Sequence, residues 1–155
     1  MHVAFETPDQ PEVIALIGEL DAYLYALYPA ESVYALDISA LLQPNVLFAV
    51  ARDGEGKAVG CAAMVINDGY GELKRMFVKP AARGLGAARR VLGLLEAEAA
   101  ARGLARLALE TGPAQQEALA LYEGNGYTRC ERFGDYPDDP YSIYMHKPLG
   151  KPTVT

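Results

Sequence analysis

Residues 71–90 constrain the fold more than any other stretch, because the spacing of apolar residues changes there from two to three and four across one short turn. Side chains alternate from Gly71 through Glu72, Lys74, Met76 and Phe77 to Val78, which predicts a strand ended by Lys79 and Pro80. From Gly86 onward Ala88, Val91, Leu92, Leu95 and Ala99 recur at helical spacing, with Gly103 as the C-terminal cap. Between strand and helix lie Arg83, Gly84, Leu85, Gly86, Ala87 and Ala88. Small residues at such a junction leave backbone N–H groups unscreened, and a helix N-terminus attracts anions. Arg83, Arg89 and Arg90 add positive charge to an otherwise acidic chain, so the expected ligand is the pyrophosphate of a cofactor.

Two kinds of phosphate loop fail against this pattern. A Walker loop needs Gly-Lys followed by Ser or Thr, whereas Gly56-Lys57 runs into Ala58. A dinucleotide loop needs a third glycine where Arg89 stands and normally follows the first strand of its fold, whereas several strand-like segments precede this one. What remains, Arg83-x-x-Gly86-x-Ala88 after Val78-Lys79-Pro80, resembles the acetyl-CoA loop of the GNAT superfamily of N-acetyltransferases. The flanks extend the resemblance: a strand before, a long helix after, another strand, and then Ala118-Leu119-Ala120-Leu121-Tyr122-Glu123-Gly124-Asn125-Gly126-Tyr127. More narrowly, Glu31-Ser32-x-Tyr34-x-Leu36-Asp37, Leu109-Glu110-Thr111-Gly112 and the acidic, aromatic segment 133–142 resemble the YsnE-like bacterial subgroup, with Tyr34 standing where histidine is expected.

Composition narrows the partners. A chain of 155 residues, 51% hydrophobic and 22% charged, is ordinary for one globular unit with a substantial core. Its net charge of −6 argues against nucleic acid or an anionic membrane and suits a cationic or zwitterionic amine. Cys61 and Cys130 are too few for a disulfide framework or a four-ligand zinc site, and His2 and His146 are far apart in sequence, so no metal is expected. The first residues show no basic region followed by an apolar run, and no segment approaches the ~20 apolar residues of a membrane span, which suggests a cytoplasmic protein.

Along the chain, a short strand is expected at 2–6 and an amphipathic helix from about residue 10 to Tyr28, its stripe formed by Val13, Leu16, Ile17, Leu20, Tyr23, Leu24, Leu27 and Tyr28. Residues 29–44 are expected to form a short irregular or helical piece anchored by Ile38, Leu41 and Leu42, and the resemblance implies that it overlies the acceptor pocket. Segments 46–52 and 58–66 flank a polar, glycine-bearing tip and read as a hairpin that continues into 71–78. A strand with one apolar face is predicted over 104–110, a short helix over 115–123, strands over 127–133 and 141–147, and a loop over 134–140. Residues 1–150 are expected to form one domain and 151–155 a loose tail.

The resemblance implies an α/β (α+β) fold: a mixed, mostly antiparallel twisted sheet of about six to seven strands, flanked by about four helices and splayed between the strand 71–78 and the strand 104–110. It implies acetyl-CoA held by Met76, Phe77 and Val78, by residues 83–88 and by Gln115 and Tyr122, with no metal. The Val78 amide would polarise the thioester carbonyl, and Tyr122 would give a proton to the departing thiolate. An acceptor amine of pKa ~10 is mostly protonated at neutral pH, and a carboxylate close to it, directly or through water, can take its proton. Glu72 and Glu110 are the candidates, although Glu72 with Lys74 also reads as a solvated ion pair and Tyr122 as a packed core ring. Ser32, Asp37, Lys74, Thr111, Asp135 and Tyr136 are candidates for acceptor contacts, Ser32 and Asp37 doubling as turn or cap residues. The expected reaction is direct acetylation of the primary amine of a small molecule or amino-acid-like acceptor. A peptide or protein N-acetyltransferase and a non-catalytic CoA-binding sensor remain alternatives. Homodimers are common in the resembling family, and an exposed sheet edge offers a route to one.

Overall fold

The computed structural model describes residues 1–150, so the expected tail 151–155 lies outside the described residues. Its strands are β1 (His2–Phe5), β2 (Val46–Arg52), β3 (Ala58–Ile66), β4 (Tyr70–Val78), β5 (Arg106–Thr111), β6 (Thr128–Arg129) and β7 (Ile143–Pro148). The helices are α1 (Pro11–Leu27), α2 (Ile38–Leu41), α3 (Ala87–Ala101) and α4 (Gln116–Gly124). One seven-stranded sheet runs β1-β2-β3-β4-β5-β7-β6. Every neighbouring pair is antiparallel except β4 and β5, which are parallel and therefore need the long crossover that α3 supplies.

The sheet is covered on both faces. Ala49, Ala51, Ala62 and Met64 join the core cluster of α3, while Phe48, Val50, Cys61 and Ala63, one position out of phase, join that of α1. This explains why β2 and β3 are continuous apolar runs and not alternating ones. Helix α3 seats Val91, Leu92, Leu95 and Ala99 in the first cluster, and α1 seats Val13, Leu16, Ile17 and Leu20 in the second. Each fully buried leucine, valine or isoleucine contributes about 1.5–3 kcal/mol.

Several expected boundaries shift. Pro11 takes the first helical position of α1, and the helix stops at Leu27. The apolar stripe overextends: Tyr23 and Leu27 are exposed, and Tyr28 is buried through the extended backbone that leaves the helix. Strand β5 is covered beyond its one expected apolar face: Leu107 and Leu109 join the core cluster of α3, and Ala108, out of phase with them, is buried as well. The strand expected over 127–133 shrinks to Thr128–Arg129, whose partners are His146 and Met145. Beyond Cys130 the chain leaves the sheet, and Phe133 turns inward to stack edge-on with Tyr70, Tyr136 and Tyr144.

The expected splay is present. Pairing between β4 and β5 covers Tyr70 to Leu73 against Arg106 to Leu109 and then ends. From Lys74 onward β4 pairs only with β3, and Glu110 and Thr111 pair only with β7. A bulge helps to turn β4 away. The register with β3 slips between Cys61 and Ala63, and Arg75 adopts a φ of 59°. Such a backbone is strained for a residue with a side chain, and Arg75 is held in it by an ion pair to Asp21 on α1 and by donating to the Leu36 carbonyl at 2.9 Å.

Candidate active site

Splaying the sheet opens a cleft of about 790 Å³ bordered by β4, the turn before α3, and α4. Met76, Phe77, Val78, residues 83–88 and Gln115 all line it. Gly84 and Gly86 carry φ values of 85° and 81°, a region that favours glycine, and a side chain at either would meet open space. Positive φ, and not crowding, is therefore what requires glycine there. The Arg83 amide donates to the Pro80 carbonyl and that of Arg90 to Gly86, while the amides of residues 84–89 between them find no acceptor among the described residues. A run of unpaired amides at the N-terminus of a 15-residue helix fits a pyrophosphate. Of the three arginines, Arg83 and Arg89 face the cleft, Arg83 also pairing with Glu117 at 2.7 Å; Arg90 turns away to the Met1 carbonyl.

Strand geometry also orients Val78. The Lys79 amide donates to the Val59 carbonyl of β3 at 2.9 Å. Successive strand amides point to opposite sides, so the Val78 amide is directed to the open side of β4.

A second, smaller pocket of about 90 Å³ adjoins the first, sharing Leu20, Met76 and Gln115 with it. Tyr122, Glu110, Thr111, Lys74 and Ser32 line this pocket. Tyr122 thus faces the small pocket and not the large cleft. It is only 6% exposed, its ring edge meets Tyr127 at 5.8 Å, and its hydroxyl has no hydrogen-bond partner among the described residues. Burial, and secondarily the charge of Glu110, push its pKa well above the usual phenol range, so it stays protonated at neutral pH.

The two candidate carboxylates are treated differently. Glu110, next to last in β5, is half-buried, and burial pushes its pKa up to about 7; the Ser142 hydroxyl, which donates to it at 2.9 Å, and then Lys74 oppose that rise, while Asp139 and Glu72 add to it. Glu72 lies outside the pocket wall. It accepts from the Tyr136 hydroxyl and pairs with Lys74 at 3.3 Å. That pair is not solvated as the spacing suggested, being 12% and 14% exposed, because Tyr136 covers it.

Residues 130–142 fold back over this region. Tyr136 reaches Glu72 and Lys74, Tyr34 donates to Asp139, and Lys74 donates to the Tyr34 carbonyl at 3.1 Å. Asp135 is exposed in the turn and lines neither pocket. Asp37 serves as the N-cap of α2, accepting from the Ala40 amide at 2.9 Å, and also lines neither pocket. Cys61 is buried with its thiol pushed up to about 12 by burial, so it is no nucleophile.

Three tyrosines of the small pocket escaped sequence reasoning: Tyr28, Tyr34 and Tyr141. Tyr28 lies directly over Gly112, where an added Cβ would fall 1.9 Å from its hydroxyl oxygen, and that hydroxyl accepts from the Ala114 amide at 3.2 Å. No local signal announces a contact between residues 86 positions apart.

Comparisons with known proteins agree with this geometry. Residues 13–127 match the Acetyltransferase (GNAT) family. The chain is 50% identical over 149 residues to the IAA acetyltransferase of Azospirillum brasilense, covering 95% of itself and 97% of that protein. It is 35% identical over 152 residues to the uncharacterised N-acetyltransferase YsnE of Bacillus subtilis, covering 96% of itself and all (100%) of YsnE. The crystal structure of a putative acyl-CoA N-acyltransferase from Klebsiella pneumoniae superposes with a TM-score of 0.81 at 37% identity, over 96% of this chain and 97% of that one. Together with the splayed sheet and the unpaired amides ahead of α3, these matches place the chain in the GNAT acetyltransferase family, as an N-acetyltransferase whose cosubstrate is acetyl-CoA.

Proposed function

We propose that this enzyme acetylates the primary amine of a small molecule directly, with Glu110 as the base and Tyr122 as the proton donor. The observation that carries the reading is the small pocket itself: about 90 Å³, opening beside the large cleft and walled by a half-buried carboxyl and a protonated phenol. Residues 84–89 offer amides to a pyrophosphate, and Met76 to Val78 offer an unpaired strand edge to an extended arm. Acetyl-CoA, when bound, supplies the activated acyl group as a thioester. Glu110, with a pKa near neutrality, accepts a proton from the ammonium of the acceptor at physiological pH. The Val78 amide is aimed at the open side, where it can donate to a developing oxyanion. Tyr122 keeps a proton for a departing thiolate.

Glu72 serves in this reading as a positioning residue, holding Tyr136 and Lys74 over the pocket. The same reading takes residues 1–150 as one domain acting in the cytoplasm, and no described helix is long and apolar enough to cross a membrane. The test is release of free CoA thiol from acetyl-CoA against a panel of amines, amino acids and short peptides. Turnover with small amines is the expected result; turnover with peptides alone would overturn the small-acceptor assignment, and tight acetyl-CoA binding without turnover would overturn both catalytic roles.

A further inference from the structure

Part of the wall of the small pocket is aromatic, and its geometry is fixed from outside the catalytic residues. Tyr28 leaves the end of α1 and lies over Gly112, just past the end of β5 and two residues beyond Glu110. Only a residue without a Cβ leaves room for its phenol there. The Ala114 amide ties down its hydroxyl, and Tyr141 meets its ring edge-on at 6.1 Å. Tyr34 completes the wall, anchored by Asp139 through its hydroxyl and by Tyr136 against its ring at 5.4 Å. Tyrosine faces attract a cation and tolerate an apolar arm equally well.

Charge narrows the occupant further. Among the described residues the pocket lining holds two cations, Lys74 and Arg75. Both are already engaged: Lys74 with Glu72, Tyr136 and the Tyr34 carbonyl, Arg75 with Asp21 and the Leu36 carbonyl. Neither is left to pair with a carboxylate brought in by a ligand, whereas Glu110 has no cation within ion-pair distance among the described residues. A carboxylate next to the reacting amine would meet Glu110 with no cation in the lining free to pair with it.

We propose that the acceptor is a compact primary amine with an apolar arm and without a carboxylate beside the amine, and that Tyr28, seated over Gly112, determines this preference together with Tyr34 and Tyr141. The inference rests on the small-acceptor reading above and narrows it, setting aside amino acids as acceptors.

The test compares three matched pairs on the wild-type enzyme with saturating acetyl-CoA: isobutylamine with valine, isoamylamine with leucine, and phenethylamine with phenylalanine. Members of a pair differ only by the carboxylate. At pH 8 kcat/KM for the amine should exceed that for the amino acid by about tenfold or more. The α-amine of an amino acid is the less basic of the two and so more often unprotonated, which works against the expected order. Amino acids used as well as, or better than, the amines would overturn this inference while leaving the small-acceptor reading standing; activity on peptides alone would overturn that reading. Valinamide, which keeps the bulk without the negative charge, should recover most of the activity of isobutylamine, and an amide as poor as valine would overturn the charge argument. Tyr28→Leu should raise KM for the amine severalfold more than it lowers kcat, and an unchanged KM would remove Tyr28 from the site.

Discussion

Glu110 occupies the point where β5 has lost its parallel neighbour yet its carboxyl is still shielded from water. Two measurable properties follow. Its pKa in the folded protein, about 7, lies above the ordinary 4.5, so the folded state holds this proton more tightly than the unfolded chain. The resulting contribution to stability is complete below pH about 4.5 and is lost as pH rises through about 7, a change on the order of 3 kcal/mol. Glu110→Gln removes the titrating group, so the Tm of the variant should gain on that of the wild type between pH 5 and pH 8; parallel curves would contradict a raised pKa. In kinetics, kcat of the wild type should rise with pH around neutrality, and Glu110→Gln should lose about 10²-fold or more. Loss of rate in Glu72→Gln but not in Glu110→Gln would transfer the role of base to Glu72. Sequence reasoning placed Glu72 ahead of Glu110, although each sits on a strand near the expected gap. Only the pairing partners separate them, Tyr136 and Lys74 for one and Ser142 for the other; Tyr136 arrives from 64 residues away and Ser142 from 32, while Lys74 lies two positions along the same strand.

Strand β4, the turn and α3 form the element from which the site is built, and this element was legible in advance because its signals are local. Apolar period, Pro80, Gly84, Gly86 and the cap Gly103 all lie within the segment they shape. The segment after Tyr127 was misread for the opposite reason: whether 130–133 continue as a strand depends on β7 and on the ring of Tyr70, neither of which is nearby in sequence. A substitution in the turn tests the element directly. Gly86→Glu places a carboxylate among the unpaired amides and forces a side chain into positive φ, the latter costing about 1 kcal/mol. Affinity for CoA measured by titration calorimetry should fall about 100-fold or more, with the far-ultraviolet circular dichroism retained. Gly86→Ala, which adds the strain without the charge, should fall much less. Unchanged affinity in Gly86→Glu would sink the assignment of this turn to the pyrophosphate.

At the scale of the molecule, the sheet is two assemblies joined along a short seam. One comprises β1 to β4 with α1 beneath; the other comprises β5, β7 and β6. Only four residue pairs join β4 to β5, and α3 spans the join from the opposite face. The general plan of strands and helices could be read from periodicity and from the family resemblance, and the acidic, aromatic segment 133–142 could be read as one able to close over an amine, but its contacts could not, since Tyr34, Asp139 and Tyr136 are brought together by the fold alone. In the proposed reading acetyl-CoA enters where a further run of strand pairing is missing, a wedge closing an otherwise unfinished arch, and the two halves should then stiffen against each other. Hydrogen exchange should report this as slowing, by about tenfold or more, at the amides of Val78 and residues 84–89 on addition of CoA, with the already paired amides of β2 and β3 unchanged. Exchange that stays equally fast at those amides would show that the arch stands without its wedge.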